Sequence, residues 1–252
     1  MRNSVKMAFA AMSAALLVAG AASAGPNLVT NGGFESTTSG PGQLAYNTNA
    51  TDWSIAAPND SYTFLYAAGT ADVGGSNGEY GAVAIWGPGN GVANGFPASS
   101  PNGGNFIASD PAFQNNSPLQ QTITGLTAGA EYVVSFDWAG AQQSGFTGPT
   151  TEGWTVGLGA AATQTTPIAS IASQGFSGWM TQSFTFKADA ASDVLSFLSV
   201  GGPSGGQPPF ALLDGVSLTA VPEPATWAMM LVGFGGLGSA IRSRRKRAAV
   251  TA

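Results

Sequence analysis

From Glu131 to Ala139 the chain is apolar at every second position, which places Tyr132, Val134, Phe136 and Trp138 on one face. A two-residue period is that of a half-buried strand, whose side chains alternate between the faces of a sheet. The pattern recurs over Trp179 to Lys187, where Met180, Phe184 and Phe186 share a face. It recurs over Gly153 to Gly159 with Trp154, Val156 and Leu158. Further on, Val194, Leu198 and Val200 alternate with Ser196 on one face, while Leu195 and Phe197 hold the other. Phe210 to Thr219, FALLDGVSLT, reads as a last strand. Thr127-Ala128-Gly129, Gln174-Gly175 and the Gly201 to Pro209 loop supply turns between these segments. Residues 36 to 118 are rich in Gly, Asn, Ser and Pro and predict short strands, such as Gly81 to Trp86, between long loops. No segment carries the period of an amphipathic helix, and no internal repeat is visible. The expected fold class is all-β, a two-sheet sandwich.

The two ends break this pattern. Arg2 and Lys6 precede the apolar run Met7 to Gly20, and Ala22-Ser23-Ala24 is followed by Gly25. A positive start, a short apolar run and a small-residue box form a secretion signal, with cleavage expected between Ala24 and Gly25. At the other end Ala225 to Ile241 carries no charge, and Arg242, Arg244, Arg245, Lys246 and Arg247 follow. As a helix that run would be about 26 Å long, close to the thickness of a hydrocarbon core. The basic block would stay cytoplasmic, which leaves the preceding domain outside. The chain thus divides into a signal peptide (1–24), a sandwich domain (25–221) and a tail (222–252) with a single transmembrane helix.

Pro222-Glu223-Pro224, Trp227 with Ala228 to Leu231, Gly233-Phe234-Gly235 and the basic cluster occur in order. Together they closely resemble the PEP-CTERM sorting signal. The resemblance implies recognition by an exosortase, a membrane-embedded protease of Gram-negative bacteria that make exopolysaccharide. It also implies removal or exchange of the tail during sorting. The expected route runs past signal peptidase, through transient anchoring in the inner membrane, to the cell surface or extracellular matrix.

A second resemblance covers parts of the domain. Asn27 to Glu35 (NLVTNGGFE) with Trp53, Leu119 to Trp138, and Leu213 to Leu218 (LDGVSL) look like the opening, the central hairpin and the final strand of jelly-roll, galactose-binding-like carbohydrate modules. The resemblance implies a jelly-roll-like sandwich in which the first and last strands lie close together. Where that family usually has a second acid or Asn after the Asp, this chain has Gly215.

Composition narrows the chemistry. The chain has 252 residues, 44% hydrophobic and only 8% charged, with neither Cys nor His. Disulfides, thiol chemistry and any Ser-His or Cys-His nucleophile are therefore excluded. Between residues 25 and 221 one base, Lys187, stands against twelve acids. So acidic a surface repels phosphate backbones, and no nucleic-acid partner is expected. Paired carboxylates such as Asp137 and Glu152 remain a formal route to glycoside cleavage. The leading expectation is nevertheless no enzyme, but a surface protein that binds polysaccharide without cleaving it. The alternatives are a purely structural matrix component and a polysaccharide-cleaving enzyme.

Aromatic rings carry the binding expectation, because an indole face packs against the C–H face of a sugar. The domain holds Trp53, Trp86, Trp138, Trp154 and Trp179, with Tyr46, Tyr62, Tyr66, Tyr80 and Tyr132. Trp53 and Trp138 fit core positions. Trp86, beside Gly87-Pro88-Gly89, and Trp154, after a Gly-rich loop, are the candidate glycan contacts. Glu35 and Asp214 are the candidate ligands of one structural Ca²⁺. Strict alternation sets Asp214 among Leu212, Val216 and Leu218, where an unpaired carboxylate is costly. Either a bulge at Gly215 turns it away, or a cation neutralises it. Two carboxylates with carbonyl oxygens from a Gly-rich turn suit Ca²⁺ rather than zinc.

Overall fold

The structure, a computed structural model, describes residues 25–114, 116–203 and 207–221. The expected secretion signal (1–24) and the expected tail with its transmembrane helix (222–252) fall outside the described residues. Among the described residues no helix is long and apolar enough to cross a membrane.

Among the described residues fourteen strands follow one another. The first seven are β1 (Gly42–Gln43), β2 (Ser54–Ile55), β3 (Thr63–Tyr66), β4 (Ser76–Gly78), β5 (Gly81–Val83), β6 (Phe106–Ser109) and β7 (Leu119–Thr124). The next seven are β8 (Glu131–Gln142), β9 (Thr150–Leu158), β10 (Gln164–Thr165), β11 (Ala169–Ile171), β12 (Met180–Lys187), β13 (Ser192–Gly202) and β14 (Pro209–Ala220). One sheet has the order β1-β3-β6-β14-β8-β12, and the other β10-β9-β13-β7-β2 with β11 also on β9. All pairings within these sheets are antiparallel. The fold is the expected all-β, jelly-roll-like sandwich.

The core between the sheets is made by the alternating faces read from the sequence. Tyr132, Val134, Phe136 and Trp138 of β8 and Phe184 and Phe186 of β12 meet Trp154, Val156 and Leu158 of β9 and Leu195 and Phe197 of β13. Phe136 meets Phe197 edge-on, with centroids 5.2 Å apart. In β13 the core face is the one with Leu195 and Phe197; Val194 on the other face is exposed.

The first sheet is buried on its outer face as well. Phe64, Tyr66, Phe106, Phe210 and Leu212 form a second cluster, covered by Val83 of β5 and by Ala71, Ile85, Phe96 and Ala98 from the Gly-rich loops. Strands sandwiched on both faces lose polar alternation. That accounts for the unbroken burial of β3 and β6.

β14 changes face part-way. Its register against β8 shifts between Asp214 and Ser217, where Gly215 takes φ +61°. Ala211 and Leu213 point inward before this bulge, and Val216 and Leu218 after it. One inserted residue re-aims every side chain beyond it. Asp214 therefore shares the outer face with Leu212 and is separated from Val216 and Leu218, contrary to strict alternation. The opening segment runs beside β14 and is pinned there by Leu28 N–H to Leu218 O and Val216 N–H to Gly32 O, both 2.9 Å.

Candidate functional site

The pinned opening segment and the bulge bring Glu35 and Asp214 together. A Cβ placed on Gly33 would have Asp214 Oδ1 at 3.8 Å and Glu35 Oε1 at 4.0 Å, so both carboxylates face one glycine. Asp214 is wholly buried. The Ser100 hydroxyl donates to its Oδ2, as does Asn102 Nδ2 at 3.3 Å. Its Oδ1, also buried, has no partner. Burial pushes the Asp214 carboxyl up to about 6, against the hydrogen bonds from Ser100, Gly215 and Asn102, and the Glu35 charge adds to the rise. Asn105 N–H fixes Glu35 Oε1 at 2.9 Å. Gly104, at φ +70°, leaves no room for a side chain beside that carboxylate. Lys187 does not neutralise Asp214: it lies opposite Glu131 in the β12–β8 register, whereas Asp214 lies opposite Asp137.

An all-oxygen donor set with an orphaned, buried carboxylate oxygen fits a hard cation. Among the described residues no group of three or more acidic side chains converges on one point. The acidic side chains that meet beside Gly33 are the two carboxylates.

Asp137 and Glu152 do not face one cleft. Asp137 is held by Asn102 Nδ2 at 2.9 Å and by the Thr181 hydroxyl at 2.6 Å. It alternates with the inward-facing Phe136 and Trp138, so it lies on the outer side of β8. Glu152 lies between the sheets, wholly buried, with neither carboxylate oxygen hydrogen-bonded. It occupies space left by Gly140, whose absent side chain would touch Glu152 Oε2. Burial raises Glu152 to about 8, opposed by Thr150 and reinforced by the Asp110 charge. Asp110 is itself raised to about 7 by burial, against the N–H groups of Ala112 and Phe113.

The tryptophan expectation divides. Trp154 is not a surface contact: it is 1% exposed, packs on Phe197 and spends its N–H on Leu212 O at 2.9 Å. The alternation that puts Val156 and Leu158 inward carries Trp154 with them. Trp86 is half-buried, and its N–H donates to Phe146 O at 2.7 Å. Trp53 and Trp138 are buried as their positions predict.

Among the described residues the most exposed aromatic rings are tyrosines, which strand periodicity does not single out. Tyr46 is 59% and Tyr80 64% exposed, and both line a cleft of about 310 Å³ with Asn59, Asp60, Glu79, Phe113 and Gln114. Their signal in the sequence is their setting among turn residues, Ala45 to Asn47 and Glu79-Tyr80-Gly81. Gln43 organises both turns. Its carbonyl accepts Tyr46 N–H at 3.3 Å, and its Oε1 accepts Glu79 N–H at 2.8 Å. Asn47 Nδ2 ties the first turn to the β4–β5 hairpin at Asn77 O, 2.9 Å. Behind the cleft, Tyr80 leans on Tyr62 and Phe113, themselves stacked at 4.8 Å. Leu44 N–H reaches Thr63 O, and Thr63, Ser109 and Ala211 stand in register. The cleft thus lies near the Pro209 end of β14, away from Ala220.

Residues 220–246 match the family described as PEP-CTERM protein-sorting motif. No curated protein matches the chain. Several solved structures are similar in fold. TmCBM61, solved with β-1,4-galactotriose, is 14% identical, with 78% of this chain and 99% of that one covered at a TM-score of 0.38. The CBM22-1 xylan-binding domain from Paenibacillus barcinonensis Xyn10C is 14% identical, covering 81% and 99% at 0.39. The MgGH51 α-L-arabinofuranosidase is 14% identical, covering 80% of this chain and 27% of that one at 0.44.

Proposed function

We propose that this chain is an exported, exosortase-sorted protein that binds polysaccharide without cleaving it. Signal peptidase releases Gly25, the tail holds the protein briefly in the inner membrane, and an exosortase then delivers it to the cell surface or matrix. The sorting motif at 220–246 supports the route. The observation that carries the binding reading is the cleft between Tyr46 and Tyr80: two largely exposed rings beside amide and carboxylate groups. Rings supply a face for sugar C–H groups, and the polar side chains bond hydroxyls. Trp86 is a secondary aromatic contact. Glu35 and Asp214 hold one Ca²⁺, which would satisfy Asp214 Oδ1 and clamp the opening segment to β14.

A second reading, a matrix component without a ligand, is favoured by the second sheet's outer face, which presents Ser54, Thr122 and Thr124 and no aromatic ring from β2 or β7. A glycan array probed with the exported protein separates the two. Retention of specific glycans that is lost in Tyr46→Ala supports binding, and a blank array supports the second reading.

A further inference from the structure

We infer that the Tyr46–Tyr80 cleft admits uncharged glycan and turns away chains bearing uronate or sulfate groups, an inference that rests on the glycan-binding reading of the same cleft. The charges around the cleft are all of one sign. Asp60 and Glu79 line it, and neither Lys nor Arg does. A hollow of about 290 Å³ adjoins it across Phe113 and Gln114, and neither Lys nor Arg lines that hollow either. The one base among the described residues, Lys187, lines a different hollow with Gly129 and Asp189. Its register partner Glu131 stands at the far end of β8 from Gln142, whose level the cleft shares.

An anionic sugar entering here meets like charge with no cation to receive it. Coulomb repulsion between exposed charges acts over roughly 10 Å at moderate salt. A neutral chain meets the opposite situation. Carboxylates accept hydroxyl protons in charge-assisted bonds, which are shorter and stronger than neutral ones. The Asn59 and Gln114 side chains can supply amide donors to the sugar oxygens. The groups that repel a uronate are therefore the groups that hold a diol.

The test compares matched probes: galactotetraose against tetragalacturonate, with cellotetraose and xylotetraose as further neutral chains. Each is titrated calorimetrically into the exported, processed protein at low and at high salt. The expected result is at least one neutral chain bound roughly tenfold more tightly than the uronate at low salt, a difference of about 1.4 kcal/mol. High salt should narrow the gap, and Glu79→Gln should narrow it at low salt. Equal affinity for neutral and uronate chains in the wild type overturns the charge inference and leaves glycan binding standing. A gap indifferent to both salt and Glu79→Gln overturns it as well. Binding of none of the four probes, together with a blank glycan array, removes the underlying reading.

Discussion

Across the sandwich the Trp154 indole N–H donates to the Leu212 carbonyl oxygen at 2.9 Å, joining a strand of one sheet to a strand of the other. The ring fills the space beside Phe197. Trp154→Ala is expected to cost about 3–5 kcal/mol, the range for emptying a large aromatic site. Trp154→Phe should cost less, losing chiefly the bond and leaving a buried carbonyl short of a partner, about 1–3 kcal/mol. Urea unfolding of the variants measures both.

Tyr46→Ala removes an exposed ring that packs on no other ring. Glycan affinity should fall about tenfold, or roughly 1.4 kcal/mol, with the melting temperature unchanged. Gln43→Ala should weaken binding through position alone, since Gln43 is buried beneath both turns. Calorimetry with a glycan retained on the array, beside thermal melts, distinguishes the two effects. A large loss of stability in Tyr46→Ala would contradict its place on the surface.

Calcium should raise stability through Glu35 and Asp214. At a concentration 100 times its dissociation constant a ligand of the folded state adds about 2.7 kcal/mol. Melts with millimolar Ca²⁺ and with a chelator should differ by that amount in wild type. They should coincide in Asp214→Ala and in Glu35→Gln. Identical melts in the wild type would remove the ion.

Glu152 and Asp110 set an alkaline limit. Their folded values, about 8 and about 7, lie above the ordinary carboxylate range. The folded chain keeps protons that the unfolded chain has released, so their contribution is full only below the ordinary values of 4.5 and 3.8, declines as pH rises above them, and is lost once pH passes about 8 and about 7. Each group lowers stability by about 1.4 kcal/mol per pH unit over its interval. Unfolding free energy should fall between about pH 5 and pH 8, and Glu152→Gln should flatten the fall.

Processing is read by mass spectrometry of the exported protein. The expected mature N-terminus is Gly25, and the basic tail after Ile241 should be missing in cells with an exosortase. An intact Met1 or intact tail outside the cell would contradict the sorting route.

The long strands were legible where their burial is one-sided, as over Tyr132–Trp138 of β8, β9, β12 and β13. Phe136, Trp138, Val156 and Phe197 all occur at the period their faces require. Periodicity failed where burial is two-sided, as in β3 and β6, whose outer cover comes from the irregular segment that connects them. The carboxylate pair was legible because a charge on an apolar strand asks for an explanation, although Gly215 alone does not say which way the bulge turns. Trp154 was ambiguous because a neighbouring Gly-rich loop speaks for exposure and its strand for burial. The tyrosine cleft was hidden, since Gln43 assembles it from two turns whose tips are far apart in the chain.

The first sheet gives the domain two unlike poles. Chain entering at Gly25 and leaving after Ala220 shares one pole, where Gly25 lies against Ala220. Ala211, level with Thr63, is near the other, and nine residues of β14 at roughly 3.3 Å each separate them by about 30 Å. Within the domain, the Tyr46–Tyr80 cleft and the two chain ends therefore sit at opposite poles. Cleavage before Gly25 or beyond Val221 would act about 30 Å from the cleft and leave its geometry untouched.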